Sequence, residues 1–321
     1  MESNFSEVVA QINKSKEEVH KVIVGQQELV DSLYMGILTG GHLLLEGLPG
    51  LAKTLSVSTV AKTLSVQFQR IQFTPDLLPS DLIGTMIFNP SKSEFDTKKG
   101  PIFTNLLLAD EINRAPAKVQ SALLEAMAEK QVTIGDTTHK LDRPFLVLAT
   151  QNPVEQEGTY SLPEAQLDRF MFKVVVGYPT KEEELQILKS VALAKEQIVD
   201  SVLTKEQIIE CQNMLEKVKF DEALQTLVVN IVWATRNPGE FGLGHLESFI
   251  KIGGSPRATL SLVKAAKASA FLDGRDYVTA EDIKKITLLV LRHRLILNFE
   301  AHAEGVTSEE IIKEILGAVE I

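Results

Sequence analysis

A phosphate-binding loop is indicated at residues 47–54, which read Gly-Leu-Pro-Gly-Leu-Ala-Lys-Thr. Its glycines allow a tight turn whose backbone N–H groups point into one anion-sized hollow, and a following helix adds its positive N-terminal end. Lys53 is expected to reach the β- and γ-phosphates of a nucleotide, and the Thr54 hydroxyl to bind Mg²⁺. Ala52 stands where the general motif has glycine. The predicted nucleotide-binding residues of this loop are Gly47, Leu48, Pro49, Gly50, Leu51, Ala52, Lys53, Thr54 and Leu55.

An acidic pair, Asp110 and Glu111, forms the second chemical signal, directly after the apolar run 106–109. Such a run is typical of a buried strand, and open α/β sheets bind their ligands at the carboxyl ends of strands. Asp110 is expected to hold Mg²⁺, and Glu111 to orient and polarise an attacking water. A solvated acidic turn is the alternative for this segment alone. Together with the loop at Lys53, the pair predicts binding and hydrolysis of a nucleoside triphosphate.

Short apolar strands that alternate with helices are expected to position these residues. The predicted strands are 42–46, 66–71, 105–109, 145–149 and 172–176. This alternation predicts a parallel, doubly wound α/β sheet, which we assign to residues 1–179 together with an N-terminal helical stretch that Gly25 interrupts.

A second, all-α domain is predicted for residues 180–321, where the pattern changes to helical periods. Four helix starts place a threonine three residues before an acid or an amide. These predicted capping pairs are Thr180 with Glu183, Thr204 with Gln207, Thr279 with Asp282, and Thr307 with Glu310.

Two hairpin-like insertions interrupt the first domain, at residues 85–103 and 131–141. The first contains a polar turn at 89–92, and the second places Gly135-Asp136 between two β-prone segments, which is a hairpin signal. Taken singly, either insertion could be surface decoration.

Composition limits the possible partners and locations. The 321 residues carry a net charge of −10 with a pI near 5.2, which argues against broad electrostatic binding to nucleic acid or an anionic membrane, although a local basic patch in a pore stays open. The single cysteine, Cys211, excludes an internal disulfide and favours a reducing compartment. No apolar run reaches membrane-span length, and the first residues lack signal-peptide features. We therefore expect a soluble, cytoplasmic protein.

In this order, the motifs resemble those of the AAA+ ATPases and, within them, the MoxR group, over nearly the whole chain. The segments that carry the resemblance are 46–54, 108–116, 149–153 and 162–170. Ala52 fits this group, and the two insertions match its branch, which carries one insert within the second helix of the sheet domain and one ahead of the sensor strand. The resemblance implies an AAA+ α/β domain followed by a helical lid.

Further site residues follow from the resemblance. Asn152 matches the sensor-1 residue, whose amide distinguishes ATP from ADP. Arg169 matches the arginine finger that reaches the ATP of a neighbouring subunit. Arg257 matches sensor 2, and whether it serves its own ATP or a neighbour's is left open. Val24 and Gly25 match the segment that contacts adenine.

A role for Arg114 is also left open. It could face a subunit boundary or cap a helix.

The resemblance implies Mg²⁺-dependent ATP hydrolysis in a homo-oligomeric ring, expected to be a hexamer. It also implies chaperone-like remodelling or maturation of protein complexes, metal insertion among them, with a partner that carries a von Willebrand factor A domain. A motor subunit of a magnesium-chelatase-like complex is one alternative. A nucleotide-gated scaffold with little hydrolysis is another, which Glu111 disfavours. A DNA-translocating helicase would need basic hairpin tips, and neither insertion has a clear one, so the sequence argues against nucleic acid as the partner.

Overall fold

Five parallel strands form the central sheet. The computed structural model describes residues 2–48, 50–152, 160–192 and 197–319. The strands in these ranges are β1 (Leu43–Gly47), β2 (Phe68–Gln72), β3 (Gly84–Asn89), β4 (Glu94–Lys99), β5 (Leu106–Asp110), β6 (Gln131–Ile134), β7 (Thr137–Lys140), β8 (Leu146–Gln151), β9 (Phe172–Val176), β10 (Ile250–Ile252) and β11 (Ile296–Leu297). The sheet has the order β2-β5-β8-β1-β9, and each neighbouring pair runs parallel. All five predicted sheet strands are confirmed.

Helices flank the sheet and make up most of the chain after it. They are α1 (Glu2–Val22), α2 (Gln27–Thr39), α3 (Lys53–Thr63), α4 (Pro79–Ile83), α5 (Ala117–Glu129), α6 (Glu164–Leu167), α7 (Lys181–Ala192), α8 (Lys205–Glu216), α9 (Glu222–Ala234), α10 (Pro256–Leu272), α11 (Ala280–Leu291), α12 (Phe299–Glu304) and α13 (Ser308–Ala318). Gly25 and Gln26 separate α1 from α2 with left-handed backbone angles, φ +66° and +53°, so the predicted interruption is confirmed. None of the helices in the described ranges is both long and apolar enough to cross a membrane.

Side chains on the two faces of the sheet pack into two different hydrophobic cores. Successive side chains of a strand point to opposite faces. Leu43 and Leu45 of β1 pack into a core with α1, α2 and α3, whereas Leu44 between them packs into a second core with α5. Burial on both faces explains why the strands read as continuous apolar runs. The doubly wound arrangement is thereby confirmed.

The parallel arrangement gives the sheet two chemically distinct ends. All five strands begin at one end, called here the amino end, and finish at the other, the carboxyl end. A strand of this length separates the two ends by about 15 Å. Any residue that precedes a strand is therefore held well away from one that follows it.

The region after β9 is a helical lid, as predicted. All four predicted capping pairs form, and in the pair at α8 Thr204 Oγ1 accepts a hydrogen bond from Gln207 N at 3.4 Å. One short antiparallel pair, β10 with β11, adds a strand element that the sequence pattern did not indicate. Helices α8 and α10 share the α2 core, so the boundary at residue 179 stays a prediction.

Both insertions form β-hairpins, as predicted. Strand β3 pairs antiparallel with β4, and β6 with β7. The hairpins lie side by side, because a Cβ atom on Gly135 of the second would be 3.2 Å from the Met86 side chain of the first. Phe88 and Phe95 pack edge to face across the first hairpin at 5.3 Å between ring centres, and both remain exposed to solvent.

Candidate active site

A cavity of about 410 Å³ opens at the carboxyl end of the sheet and collects most of the predicted catalytic residues. Its lining is Gly47, Gly50, Leu51, Ala52, Lys53, Thr54, Leu55, Arg70, Gln72, Asp110, Glu111, Thr150 and Asn152. The volume lies within the range typical of small-molecule sites. Leu48 packs against the core instead, and Pro49 lies outside the described residues.

The 47–54 loop depends on three backbone positions. Gly50 has φ +83°, and a Cβ atom on Gly47 would lie 2.6 Å from the Val176 carbonyl oxygen, so only glycine fits at residue 47. Ala52 adopts φ +55°, a left-handed conformation that costs about 1–2 kcal/mol for a residue with a Cβ atom. The general motif avoids this cost with glycine. Helix α3 begins at the next residue, Lys53.

Lys53 lies over the loop, and its Nζ donates a hydrogen bond to the Gly47 carbonyl oxygen at 2.7 Å. Burial lowers the pKa of Lys53, while the nearby Asp110 and Glu111 carboxylates oppose that shift. The ammonium group is thus surrounded by acceptors within the phosphate-binding loop and beside the acidic pair. That is the position from which a lysine can meet the outer phosphates of a nucleotide.

Asp110 is held by two neighbouring strands. Thr150 Oγ1 on β8 donates to one carboxylate oxygen at 2.6 Å, and Arg70 Nη2 on β2 donates to the other at 2.6 Å. The same Thr150 hydroxyl oxygen accepts a hydrogen bond from the Glu111 backbone N–H at 2.8 Å. One threonine therefore fixes both the carboxylate of Asp110 and the backbone of Glu111.

Glu111 is engaged from two directions. Gln72 Nε2, at the end of β2, donates to its Oε2 at 2.7 Å, and Arg114 Nε lies 3.3 Å from the same oxygen. Glu111 itself has φ +56°. Both partners lie on Oε2, which leaves the second carboxylate oxygen, Oε1, as the atom that can accept a proton from an attacking water. Arg114 thus pairs with the predicted base.

Arg70, Gln72 and Thr150 are site residues that the sequence reasoning missed. Arg70 and Gln72 lie on β2, which is adjacent to β5 in the sheet but separated from it in sequence by the first hairpin. Only the strand order reveals that the end of β2 faces the acidic pair. Thr150 lies two residues before Asn152, so a polar residue late in a strand that ends at the site was the available signal.

The residues present fit a bound Mg²⁺. The Thr54 hydroxyl and the Asp110 carboxylate line one cavity and are hard oxygen ligands, which Mg²⁺ prefers, with water completing its coordination. Arg70 shares the Asp110 carboxylate and would compete with the metal for it.

Val24 and Gly25 lie at the same end of the sheet but outside the cavity lining. Gln26 Nε2 donates to the Gly177 carbonyl oxygen at 3.4 Å, directly after β9. Gly25 approaches Glu183 so closely that a Cβ atom would fall 2.3 Å from its carboxylate. The segment is therefore next to the end of β1 and β9, beside the phosphate-binding loop.

Arg169 and Arg257 lie at the opposite, amino end, around a second cavity of about 360 Å³. Arg169 Nη1 donates to the Leu124 carbonyl oxygen at 2.7 Å, and Arg257 Nη1 lies 3.9 Å from Asp168 Oδ2. The described linings of the two cavities share no residue. The structure thus brings Lys53, Thr54, Asp110, Glu111 and Asn152 together and leaves the two arginines apart from them.

The chain is similar to several known proteins. Residues 42–172 match the family described as "ATPase family associated with various cellular activities (AAA)", and residues 246–315 match "AAA lid domain". The chain is 48% identical to "Chaperone MoxR1" of Mycobacterium tuberculosis over 94% of this chain and 80% of that protein. It is 44% identical to "Uncharacterized protein YeaC" of Bacillus subtilis, over 97% and 94%. A crystal structure from Cytophaga hutchinsonii superposes with a TM-score of 0.94 at 55% identity, over 99% of this chain and 97% of that one.

Proposed function

The chain belongs to the MoxR group of the AAA+ ATPases, and from this premise we propose that it hydrolyses ATP with Mg²⁺ at sites shared between neighbouring copies in a ring. One observation carries the proposal. The phosphate-binding and acidic residues line the carboxyl end of the sheet, whereas Arg169 and Arg257 line the amino end. A strand of about 15 Å lies between the two ends, so these arginines serve a nucleotide on another copy.

A head-to-tail ring supplies that copy. Heterologous interfaces close into rings when the rotation between copies allows it, and each then joins one face of a chain to the opposite face of the next. The amino end of one copy would meet the carboxyl end of its neighbour. Arg169 and Arg257 would both act on the neighbour's ATP, so the proposal assigns Arg257 to the neighbour's site.

The proposal gives each of these residues a role in catalysis. Lys53 and the loop N–H groups hold the phosphates, and Asn152 contacts the γ-phosphate. Val24 and Gly25 contact the adenine ring. Glu111 orients the water for in-line attack through its second carboxylate oxygen, and Arg169 from the next copy stabilises the charge that develops. Mg²⁺, held by Thr54 and Asp110, supplies further neutralisation of phosphate charge when bound.

A mixing experiment tests the shared site. Lys53→Ala and Arg169→Ala are each expected to be nearly inactive, and wild-type activity per chain should rise with protein concentration. An equal mixture of the two variants should recover about one quarter of the wild-type rate, because one interface in four pairs an intact loop with an intact arginine. Full activity of Arg169→Ala alone, or a mixture that stays inactive, would contradict the proposal.

We further infer that ATP turnover drives chaperone-like remodelling of a partner protein in the cytoplasm. The name of the Mycobacterium tuberculosis relative supports this, and so do the exposed aromatic rings of Phe88 and Phe95 at the tip of the first hairpin, which offer an apolar contact surface. Maturation of complexes together with a von Willebrand factor A domain protein belongs to the same proposal.

The remodelling proposal is tested by suppression of aggregation of a heat-denatured reporter protein. The wild type should protect the reporter with ATP, whereas Glu111→Gln and the double variant Phe88→Ser, Phe95→Ser should not. The hairpin variant should keep its basal ATPase rate. Equal protection by all three proteins would remove the support for the remodelling role.

A further inference from the structure

One buried arginine of the lid is bonded to the segment that carries Arg169. Arg294 follows helix α11, and its side chain is 2% exposed. Its Nε donates to the Asp168 carboxylate at 2.7 Å, and its Nη2 donates to the Phe170 carbonyl oxygen at 2.7 Å. The carbonyl oxygens of Asp168 and Met171 accept from the same guanidinium at 3.2 and 3.1 Å. Arg294 therefore contacts residues on both sides of Arg169.

A second lid helix contacts the same segment. Ser255, the N-cap of α10, donates its hydroxyl to Asp168 Oδ2 at 2.9 Å, and the neighbouring Arg257 lies 3.9 Å from that oxygen. His293 Nε2 lies 3.0 Å from the Phe170 carbonyl oxygen. Asp168 is thus the common partner of Arg294, Ser255 and Arg257. Because Asp168 directly precedes Arg169, these contacts fix the position of Arg169 relative to Arg257.

Burial of an arginine side chain costs more free energy than burial of an apolar side chain. Desolvation of a charge costs several kcal/mol, and an apolar residue of similar volume often stabilises a fold as well or better. What the guanidinium adds is geometry: a planar group with five donors at fixed angles, always charged, which can hold several acceptors in one arrangement. Here the acceptors belong to residues 168–171.

We propose that Arg294 is a positioning residue for ATP hydrolysis, which fixes the 168–171 segment so that Arg169 reaches the neighbour's nucleotide, and which makes that arginine follow the lid. The inference rests on the role proposed above for Arg169. Residue 171 is also tied to the sheet, since its backbone N–H donates to the His42 carbonyl oxygen at 2.8 Å. Rotation of the lid would therefore turn the segment about that attachment.

The test uses Arg294→Lys, which keeps the charge but lacks the planar fork, and as a second variant Asp168→Asn, which keeps the shape of that side chain but removes its charge and should slow hydrolysis in the same way. A displaced arginine is expected to slow hydrolysis by about 10-fold to 100-fold, since a misplacement near 1 Å can cost this much. ATP binding to the variant should not change, because the phosphate-binding loop is untouched. Arg275→Met is the matched control, since it breaks another lid pair, Arg275 with Asp282 at 2.6 Å, that does not touch the segment.

Mixing identifies which half of the shared site is damaged. Arg294→Lys should regain activity when mixed with Lys53→Ala, and should stay slow when mixed with Arg169→Ala, because both of those chains lack a working arginine side. Arg275→Met should lose stability but keep its ATPase rate per folded chain. If the role of Arg294 is purely structural, both mixtures should be equally slow. Arg275→Met should then lose as much ATPase activity per folded chain as Arg294→Lys does.

The outcomes separate this inference from the shared site. If Arg169→Ala and Lys53→Ala restore each other but Arg294→Lys and Lys53→Ala do not, the shared site stands and the role of Arg294 is wrong. If Arg294→Lys regains activity with Arg169→Ala, Arg294 acts on its own nucleotide and the inference is again wrong. If no mixture recovers, the shared site is wrong and the inference falls with it.

Discussion

The two ends of the central sheet differ in their charge balance. Among the described residues that line the carboxyl-end cavity, Lys53 and Arg70 face Asp110 and Glu111, two cations against two acids. The amino-end cavity is lined by five cations and one acid, namely Lys130, Arg169, Arg257, Lys264, Arg294 and Asp168. A chain with a net charge of −10 therefore has a cavity with an excess of basic residues at one end of its sheet.

This difference fits the proposal that neither end is a complete site. The carboxyl end has the phosphate cradle and the acids, and its cations are already matched by them. The amino end has unbalanced cations but no phosphate-binding loop among its described residues. A nucleotide triphosphate is highly anionic, and an arginine that approaches it in trans stabilises charge that develops in the transition state. If the two ends have these different roles, removal of a cation at the amino end should slow ATP hydrolysis without weakening ATP binding.

The largest effect is expected from Arg169→Ala. Hydrolysis should fall by about 10³-fold or more, because a finger supplied by a neighbour is worth about 10³–10⁵ in related systems. ATP affinity, measured by fluorescent-nucleotide titration, should stay near the wild-type value, whereas Lys53→Ala should lose affinity. Arg169→Lys is the matched control and should recover only part of the rate, since it lacks a planar fork. Equal loss of binding in Arg169→Ala and Lys53→Ala would erase the distinction between the two ends.

A slightly smaller loss is expected from Glu111→Gln at the carboxyl end. A positioned general base contributes about 10²–10⁴ in rate, so single-turnover hydrolysis should fall within that range. The variant should still bind ATP, and size-exclusion chromatography with ATP should show its assembled form accumulating. A variant with a wild-type rate would show that Glu111 does not activate the water.

Acid should destabilise the fold through two buried histidines near the amino end of the sheet, His42 and His293. His42 lines the amino-end cavity, and burial lowers its pKa to about 4, with the positive charge of Lys130 adding to the shift. Burial, with Arg294, Lys173 and Arg292, also lowers the pKa of His293. Both groups are held neutral in the folded chain, so their stabilisation is complete above pH 6.5 and is lost as the pH falls from there toward their folded pKa values.

The pH effect can be measured by urea unfolding at pH 7 and pH 5. The His42 shift alone predicts a loss of about 2 kcal/mol in the free energy of unfolding between these values. His42→Gln is the control, since it keeps hydrogen-bonding groups but does not titrate, and its loss should be smaller by about that amount. Identical pH slopes for the two proteins would exclude His42 as the origin.

The smallest effect is expected from Arg70→Ala. The arginine would share the Asp110 carboxylate with a bound Mg²⁺, and its side chain is 49% exposed, so solvent weakens the arginine–carboxylate pair. Removing it should lower the Mg²⁺ concentration needed for half-maximal hydrolysis by about twofold to fivefold. Arg70→Lys, which keeps a cation there, should shift less. An increased Mg²⁺ requirement would mean that Arg70 helps to hold the nucleotide instead.

The sequence was sufficient for the parts of the site that are local in the chain. The 47–54 loop and the acidic pair are each contiguous in the chain, so their residue motifs identify them. The strands that precede them are buried on both faces, so continuous apolar runs identify these strands. Residues that come together through strand order were not found. Gln72 meets Glu111 only because β2 lies beside β5. Arg294 meets Asp168 across the lid, and no spacing in the chain predicts that contact.

Backbone conformation was predictable only where residue type restricts it. Gly25 marked the break between α1 and α2 because glycine tolerates positive φ. Ala52 and Glu111 adopt left-handed angles without such a marker, and the packing around the site must hold them there. The side-by-side placement of the two hairpins likewise depends on tertiary packing at Gly135 and Met86.

The separation of the two ends by one strand length has a genetic consequence. In a head-to-tail ring each chain takes part in two sites, one through its loop and one through its arginines. A product damaged on both sides, such as Lys53→Ala combined with Arg169→Ala, would therefore inactivate two sites per copy. In a cell that expresses normal and damaged alleles together, activity should fall as about the square of the normal fraction. Such an allele would behave as dominant over the intact gene.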